Sequence, residues 1–145
     1  MKTAKQILKS KADQTTYTTS PAASVFEAVK LMAAKSIGAL VVVEGESVVG
    51  LITESDYARK IAPVARSAKK RVCNIMTSPV TYVRPDQTSE ECMVLMTENR
   101  LRHLPVMDQG KLIGLISIGD LVKDIISEQK FIIQQLEHYI TGEPG

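Results

Sequence analysis

Two stretches of this chain pair a hydroxyl with a carboxylate at one fixed spacing: Gly50-Leu51-Ile52-Thr53-Glu54-Ser55-Asp56 and Gly114-Leu115-Ile116-Ser117-Ile118-Gly119-Asp120. In each, an apolar run of strand character ends in Thr53 or Ser117. The carboxylate follows three residues later, in the first turn of an expected helix. A carboxylate placed there accepts hydrogen bonds from two vicinal hydroxyls, as on a ribose. The adjacent hydroxyl and the free N–H groups of the helix start can hold a phosphate. Plain helix capping uses the same spacing, with the hydroxyl as cap and the aspartate at the positive end of the dipole. Capping alone would accept several residue types at either place, so hydroxyl-x-x-Asp standing in both stretches favours binding. Catalysis has no such support: there is no Ser–His–Asp order, metal-ligand cluster or phosphate-binding P-loop in the sequence, and the expectation is a protein that is not an enzyme and holds no metal.

The elements that must position these residues come from a repeat. Sliding the chain by 64 positions lays residues 21–61 over 85–125 without a gap. Pro21, Glu27, Leu31, Met32, Leu40, Val42, Gly50, Leu51, Ile52, Asp56 and Ile61 then meet identical residues. Further upstream, AKQIL at 4–8 resembles VCNIM at 72–76 after a four-residue shift. Each copy has helical periodicity over Ser24–Lys35 or Thr88–Asn99, with Ser24 and Thr88 as N-caps and a glutamate three residues on. A β-rich run follows at 39–43 or 103–107, then a polar turn, then a second run into the motif. A short strand is expected before the first helix, at Thr15–Thr18 and Val80–Val83. The unit reads β-α-β-β-α, and the fold class is α/β. The boundaries are 1–62 for the first repeat, 63–71 for a linker, 72–126 for the second repeat and 127–145 for an extended C-terminal helix.

The two motifs in register, with Arg102-His103-Leu104-Pro105-Val106 ahead of the second, resemble the cystathionine-β-synthase (CBS) domain family over about residues 4–126. The resemblance implies a tandem pair packed through its sheets with pseudo-twofold symmetry. It also implies clefts that bind adenosine nucleotides such as AMP, ADP, ATP or NAD(H) as regulatory ligands, with no cofactor required. Carried over by position, Asp56 and Asp120 would hold ribose hydroxyls, and Thr53 and Ser117 would contact ribose or phosphate. Ile37, Gly38, Ala39, Leu101, Arg102 and His103 would line the adenine pockets, with Thr16, Thr18, Thr81 and Val83. Arg102 and His103 stand where phosphate-binding cations are common in the family, and an arginine fork suits phosphate. The first copy has Gly38 in place of Arg102, so its cleft is expected to be poorer in phosphate contacts. Arg59 and Lys60 are weaker candidates. The function implied is a regulatory, signal-transducing module acting on an unidentified protein. The alternative is a structural or protein-interaction module with degenerate clefts.

The remaining features bound this reading. The 18 basic and 16 acidic residues give a net charge of +2, too small a bias to argue for nucleic acid, and Lys69, Lys70 and Arg71 read as a solvated linker. Cys73 and Cys92 have no metal or redox spacing. The opening MKTAKQILKSKADQ has no apolar run like that of a signal peptide, and no stretch is long and apolar enough for a membrane span. A cytoplasmic location is therefore expected. Leu121, Val122, Ile125, Ile126, Gln129, Ile132, Ile133, Leu136 and Ile140 form a long apolar stripe on the last helix. Either the protein's own core covers it or a second subunit does. The second is preferred, which makes the chain a homodimer partly joined through this helix.

Overall fold

The computed structural model describes residues 2–61 and 70–141. In the first half, α1 (Ala4–Ser10) precedes β1 (Thr18–Thr19), α2 (Val25–Lys35), β2 (Ala39–Glu44), β3 (Ser47–Thr53) and α3 (Glu54–Lys60). In the second, α4 (Val72–Ile75) precedes α5 (Ser89–Asn99), β4 (His103–Asp108), β5 (Lys111–Ser117) and α6 (Ile118–Thr141). The expected caps form: Ser24 Oγ accepts from Glu27 N at 3.0 Å and Thr88 Oγ1 from Glu91 N at 3.2 Å. The Glu91 carboxylate returns the bond to Thr88 N.

The hairpins are near-copies. β2 pairs antiparallel with β3, placing Ala39 opposite Thr53, and β4 with β5, placing His103 opposite Ser117. Both carry an irregularity at the same place, after Val42 and after Val106. The strand expected at Thr15–Thr18 lies later and is shorter: β1 pairs parallel with β2 through Thr18 and Thr19. At Val80–Val83 the pairing shrinks to a single parallel bridge between Val83 and Val106.

Packing crosses the sequence halves. The first core joins Val25, Ala28, Met32, Leu40, Val42, Ile52 and Ile61 to Val72 and Ile75 of α4. The second joins Val83, Cys92, Met96, Leu104, Val106, Ile116 and Leu121 to Ala4 and Ile7 of α1. Each unit thus completes its core with the short helix that leads the other sequence half. Burying Ile7 or Ile75 in this way stabilises the pair by about 1.5–3 kcal/mol each. Gly50 and Gly114 permit the arrangement, because Met76 lies directly against the first and Leu8 against the second. The end of the expected linker belongs to the same joint. Lys70 O accepts from Val25 N at 2.8 Å and Ala22 O accepts from Arg71 Nη1 at 2.6 Å, while residues 63–69, including Lys69, lie outside the described residues.

The units meet face to face. Leu40 and Val42 point into the first core, while Ala39, Val41 and Leu51 pack with Val43, Val48, Leu112 and Leu115 from both hairpins and with Val80. This explains the unbroken apolar run of β2, which is covered on both faces. In α6, Leu121 and Asp124 are buried, whereas Phe131, Ile132, Ile133, Leu136, Tyr139 and Ile140 are each at least 50% exposed. Among the described residues, the chain's own core covers the start of the apolar stripe at Leu121 and leaves Ile132, Ile133, Leu136 and Ile140 uncovered.

Candidate functional site

Both helix starts are built as capping boxes. At α3, Thr53 Oγ1 accepts from Asp56 N at 3.1 Å, while Asp56 Oδ2 accepts from Thr53 N at 2.9 Å and from Thr53 Oγ1 at 3.1 Å. At α6, Ser117 Oγ accepts from Asp120 N at 3.2 Å and Asp120 Oδ2 accepts from Ser117 N at 2.8 Å. Capping and binding are therefore compatible uses of one arrangement. One carboxylate oxygen holds the helix start, and Oδ1 of Asp120 takes no hydrogen bond among the described residues. A lysine attends each aspartate: Lys60 Nζ lies 3.7 Å from Asp56 Oδ1, and Lys11 Nζ lies 3.1 Å from Asp120 Oδ2. Each lysine also donates to a backbone carbonyl, Lys60 to Ile75 O at 2.8 Å and Lys11 to Leu115 O at 2.9 Å.

The strand starts are set by a tight turn in each unit. Ser36 and Arg100 end α2 and α5 in the left-handed region, each at φ 54°. Ile37 N then donates back to Met32 O at 3.0 Å, and Leu101 N to Met96 O at 2.9 Å. These turns swing residues 37–39 and 101–103 beside the motif helices, where Glu54 N donates to Gly38 O at 3.0 Å and Ile118 N to Arg102 O at 2.8 Å. A side chain with φ above zero is disfavoured, so both units carry the same local strain to set this position.

One cleft of about 940 Å³ gathers much of the expected site. Its wall includes Thr16, Ile37, Gly38 and Ala39 from the first half and His103, Ser117 and Asp120 from the second. It does not include Thr53, Asp56, Thr18, Leu101, Arg102, Thr81 or Val83. Val83 is fully buried in the second core, whereas Thr18, in β1, is exposed outside this wall. Arg102 is exposed. His103 takes the inner position instead: a methyl group on Gly38 would lie 3.4 Å from its ring. That distance is an ordinary van der Waals contact, so the imidazole lies alongside Gly38 without itself requiring glycine there. Burial holds the His103 imidazole below its ordinary value of 6.5, with Asp120 pulling it up and Lys11 and Arg102 pushing it down.

The cleft also contains residues that sequence reasoning missed. Lys11 has no counterpart in the repeat, and only the return of α1 onto the second unit brings it to Asp120. Tyr17 donates to Asp13 Oδ2 at 2.7 Å, and Lys35 Nζ lies 5.5 Å from the centre of its ring. That hydrogen bond, with one from Thr15, holds the Asp13 carboxyl below the usual carboxylate range. Lys2, Lys5, Lys9 and Lys123 add positive charge to the wall. Chemically the cleft offers a narrow apolar edge at 37–39, a carboxylate for hydroxyls, a helix start and several cations for phosphate. Among the described residues, no helix is long and apolar enough to cross a membrane and no group of three or more His, Cys, Asp or Glu could hold a metal.

Comparison with known proteins gives a consistent picture. The CBS domain model matches residues 13–63 and 72–127. A solved CBS-domain protein from Burkholderia ambifaria MC40-6 is 58% identical, with 88% of this chain and 96% of that chain covered and a TM-score of 0.83. The Arabidopsis thaliana protein CBSX3, named as mitochondrial, is 42% identical over 125 residues, covering 82% of this chain; the chain spans 61% of that relative's length. A solved complex of CBSX2 with AMP has the same fold at 23% identity and a TM-score of 0.74, with 88% of this chain and 98% of that chain covered.

Proposed function

Because this chain belongs to the CBS-domain family, with the domain present twice, we propose that it is a regulatory module that binds an adenosine nucleotide in the cleft between its two units. The observation that carries the reading is the composition of that cleft: Ile37, Gly38 and Ala39 of one unit face Ser117, Asp120 and His103 of the other. The apolar edge suits a purine, and Asp120 suits a ribose diol. The start of α6, with Lys11 and its neighbours, suits phosphate. A ligand touching both units is sensitive to how they sit together. It can therefore bias a partner protein through its differential affinity for two arrangements, without any catalysis.

The assembly is part of the same proposal. Four large apolar residues in the last turns of α6, Ile132, Ile133, Leu136 and Ile140, are at least 50% exposed in the single chain. Burying each contributes about 1.5–3 kcal/mol, several kcal/mol in sum before the entropy of association. A second copy of the chain supplies a matching face through twofold symmetry.

The competing reading is an interaction module whose clefts stay empty. What favours it is that Asp56 and Asp120 already have capping and lysine partners. Calorimetric titration with AMP, ATP and NADH separates the two. Saturable binding of at least one supports the nucleotide reading, and no heat from any of them leaves the interaction module. AMP is the first ligand to try, being the one held by CBSX2 in its solved complex.

A further inference from the structure

The cleft does not end at Asp120. One helical turn further along α6, about 6 Å at 1.5 Å per residue, Asp124 stands in the same wall with Lys2, Lys5, Lys123 and Ser127. Its side chain is 4% exposed, and its one ion pair among the described residues is distant, Lys2 Nζ to Oδ1 at 3.8 Å. Its other oxygen, Oδ2, is buried with no hydrogen-bond partner. A buried carboxylate oxygen left unbonded loses its hydration with nothing in return, so a native protein holding one calls for an explanation. The repeat sharpens the point. The position matching Asp124 in the first unit is Lys60, which pairs with Asp56 and donates to Ile75 O. In the second unit, Lys11 of α1 pairs with Asp120 instead, and the fourth position after the motif aspartate carries a second carboxylate. The cleft volume of about 940 Å³ lies near the upper end of the roughly 300–1,000 Å³ typical of small-molecule sites.

We infer that Asp124 is the acceptor of a second polar subsite, which takes the hydroxyls of a second sugar carried on the phosphates of the bound nucleotide. This rests on the nucleotide reading above and narrows it to a nucleoside diphosphate bearing a further sugar. Asp120 holds the first diol, Lys5 and Lys123 lie beside the diphosphate, and Asp124 Oδ2 accepts from the second sugar.

ADP-ribose adds that terminal sugar to ADP and removes about one negative charge by esterifying the β-phosphate, so calorimetry of the full chain with each, repeated on Asp124 variants, isolates the sugar contact. The wild type should bind ADP-ribose roughly ten- to a hundredfold more tightly than ADP, the value of a hydrogen bond to a charged acceptor. Asp124→Leu should bring the ratio of the two affinities close to one, with melting temperature unchanged or raised, because it replaces a half-satisfied charge by an apolar group of similar size. Asp124→Asn, which keeps the shape and an acceptor oxygen, should give an intermediate ratio and serves if the leucine variant does not fold. Equal affinities in the wild type overturn the subsite while leaving the nucleotide reading standing. So does an Asp124 variant that weakens both ligands alike. A wild type that binds neither ligand refutes the nucleotide reading itself, and the subsite with it.

Discussion

Replacing Gly50 by alanine places a methyl group 2.5 Å from the Met76 sulfur, 3.0 Å from its Cγ and 3.2 Å from the Thr77 carbonyl oxygen. The methionine can swing aside, but the carbonyl cannot do so freely. The same peptide region is bridged to β3 by Leu51 N donating to Thr77 O at 3.0 Å and Thr77 N donating to Leu51 O at 2.9 Å. Overpacking of this kind costs about 1–3 kcal/mol, offset by about 0.4–1 kcal/mol from the lost freedom of glycine in the unfolded chain. Gly114→Ala is the control. The three atoms nearest its methyl group all belong to the Leu8 side chain, at 2.5, 2.7 and 3.1 Å. Leucine can change rotamer, so the cost should sit at the lower end of that range. Urea unfolding should therefore rank Gly50→Ala as the more damaging, by about 1 kcal/mol, or roughly 2–4 °C in melting temperature. Leu8→Ala in the Gly114→Ala background should cost less than it does alone, whereas Met76→Ala should relieve Gly50→Ala only in part. Strict additivity in both pairs, or the reverse ranking, would refute the crosswise packing of α1 and α4 as the reason for these glycines.

Three further outcomes are expected. His103 is held below its ordinary value by burial, so the unfolded chain takes up a proton at this residue at a higher pH than the folded chain does. Its contribution to stability is full above pH 6.5 and is lost as the pH falls below it; His103→Gln should flatten denaturation midpoints across that window, and parallel curves would count against burial as the cause. Ending the chain at Glu128 should weaken self-association by at least tenfold in sedimentation, since it removes Ile132, Ile133, Leu136 and Ile140; an unchanged association constant would place the interface elsewhere. Arg100→Gly relieves a left-handed residue at φ 54° and should stabilise by up to about 1 kcal/mol, checked by thermal melting.

The repeat made most of the architecture readable. The caps at Ser24 and Thr88, the paired hairpins and the helices opening after Thr53 and Ser117 all follow from periodicity and spacing, and all are present. The strands before α2 and α5 were poorly legible because two residues, or one bridge, carry almost no pattern. The site was legible where one short segment forms it, as in Ser117–Asp120, and illegible where chain crossing forms it. Lys11 reaches Asp120 because α1 packs on the distant half, and nothing in the local sequence around Lys11 encodes that return. Asp124 was hidden differently: at helical spacing from Asp120 it reads as a solvated charge, and only its burial sets it apart. Arg102 stands at the expected position in the chain, but His103 occupies the inner face next to Gly38.

Whether Asp120 serves a ligand as well as a helix cap is decided by titrating AMP into the wild type and into Asp120→Ala, with a melting curve taken for each. Two hydrogen bonds to a charged acceptor are worth about 3 kcal/mol or more together, so affinity should fall by a hundredfold or more. The lost cap should cost only about 0.5–2 kcal/mol of stability, leaving the variant folded at the temperature of the titration. A folded variant that binds AMP as tightly as the wild type would leave Asp120 a helix cap with no part in ligand binding.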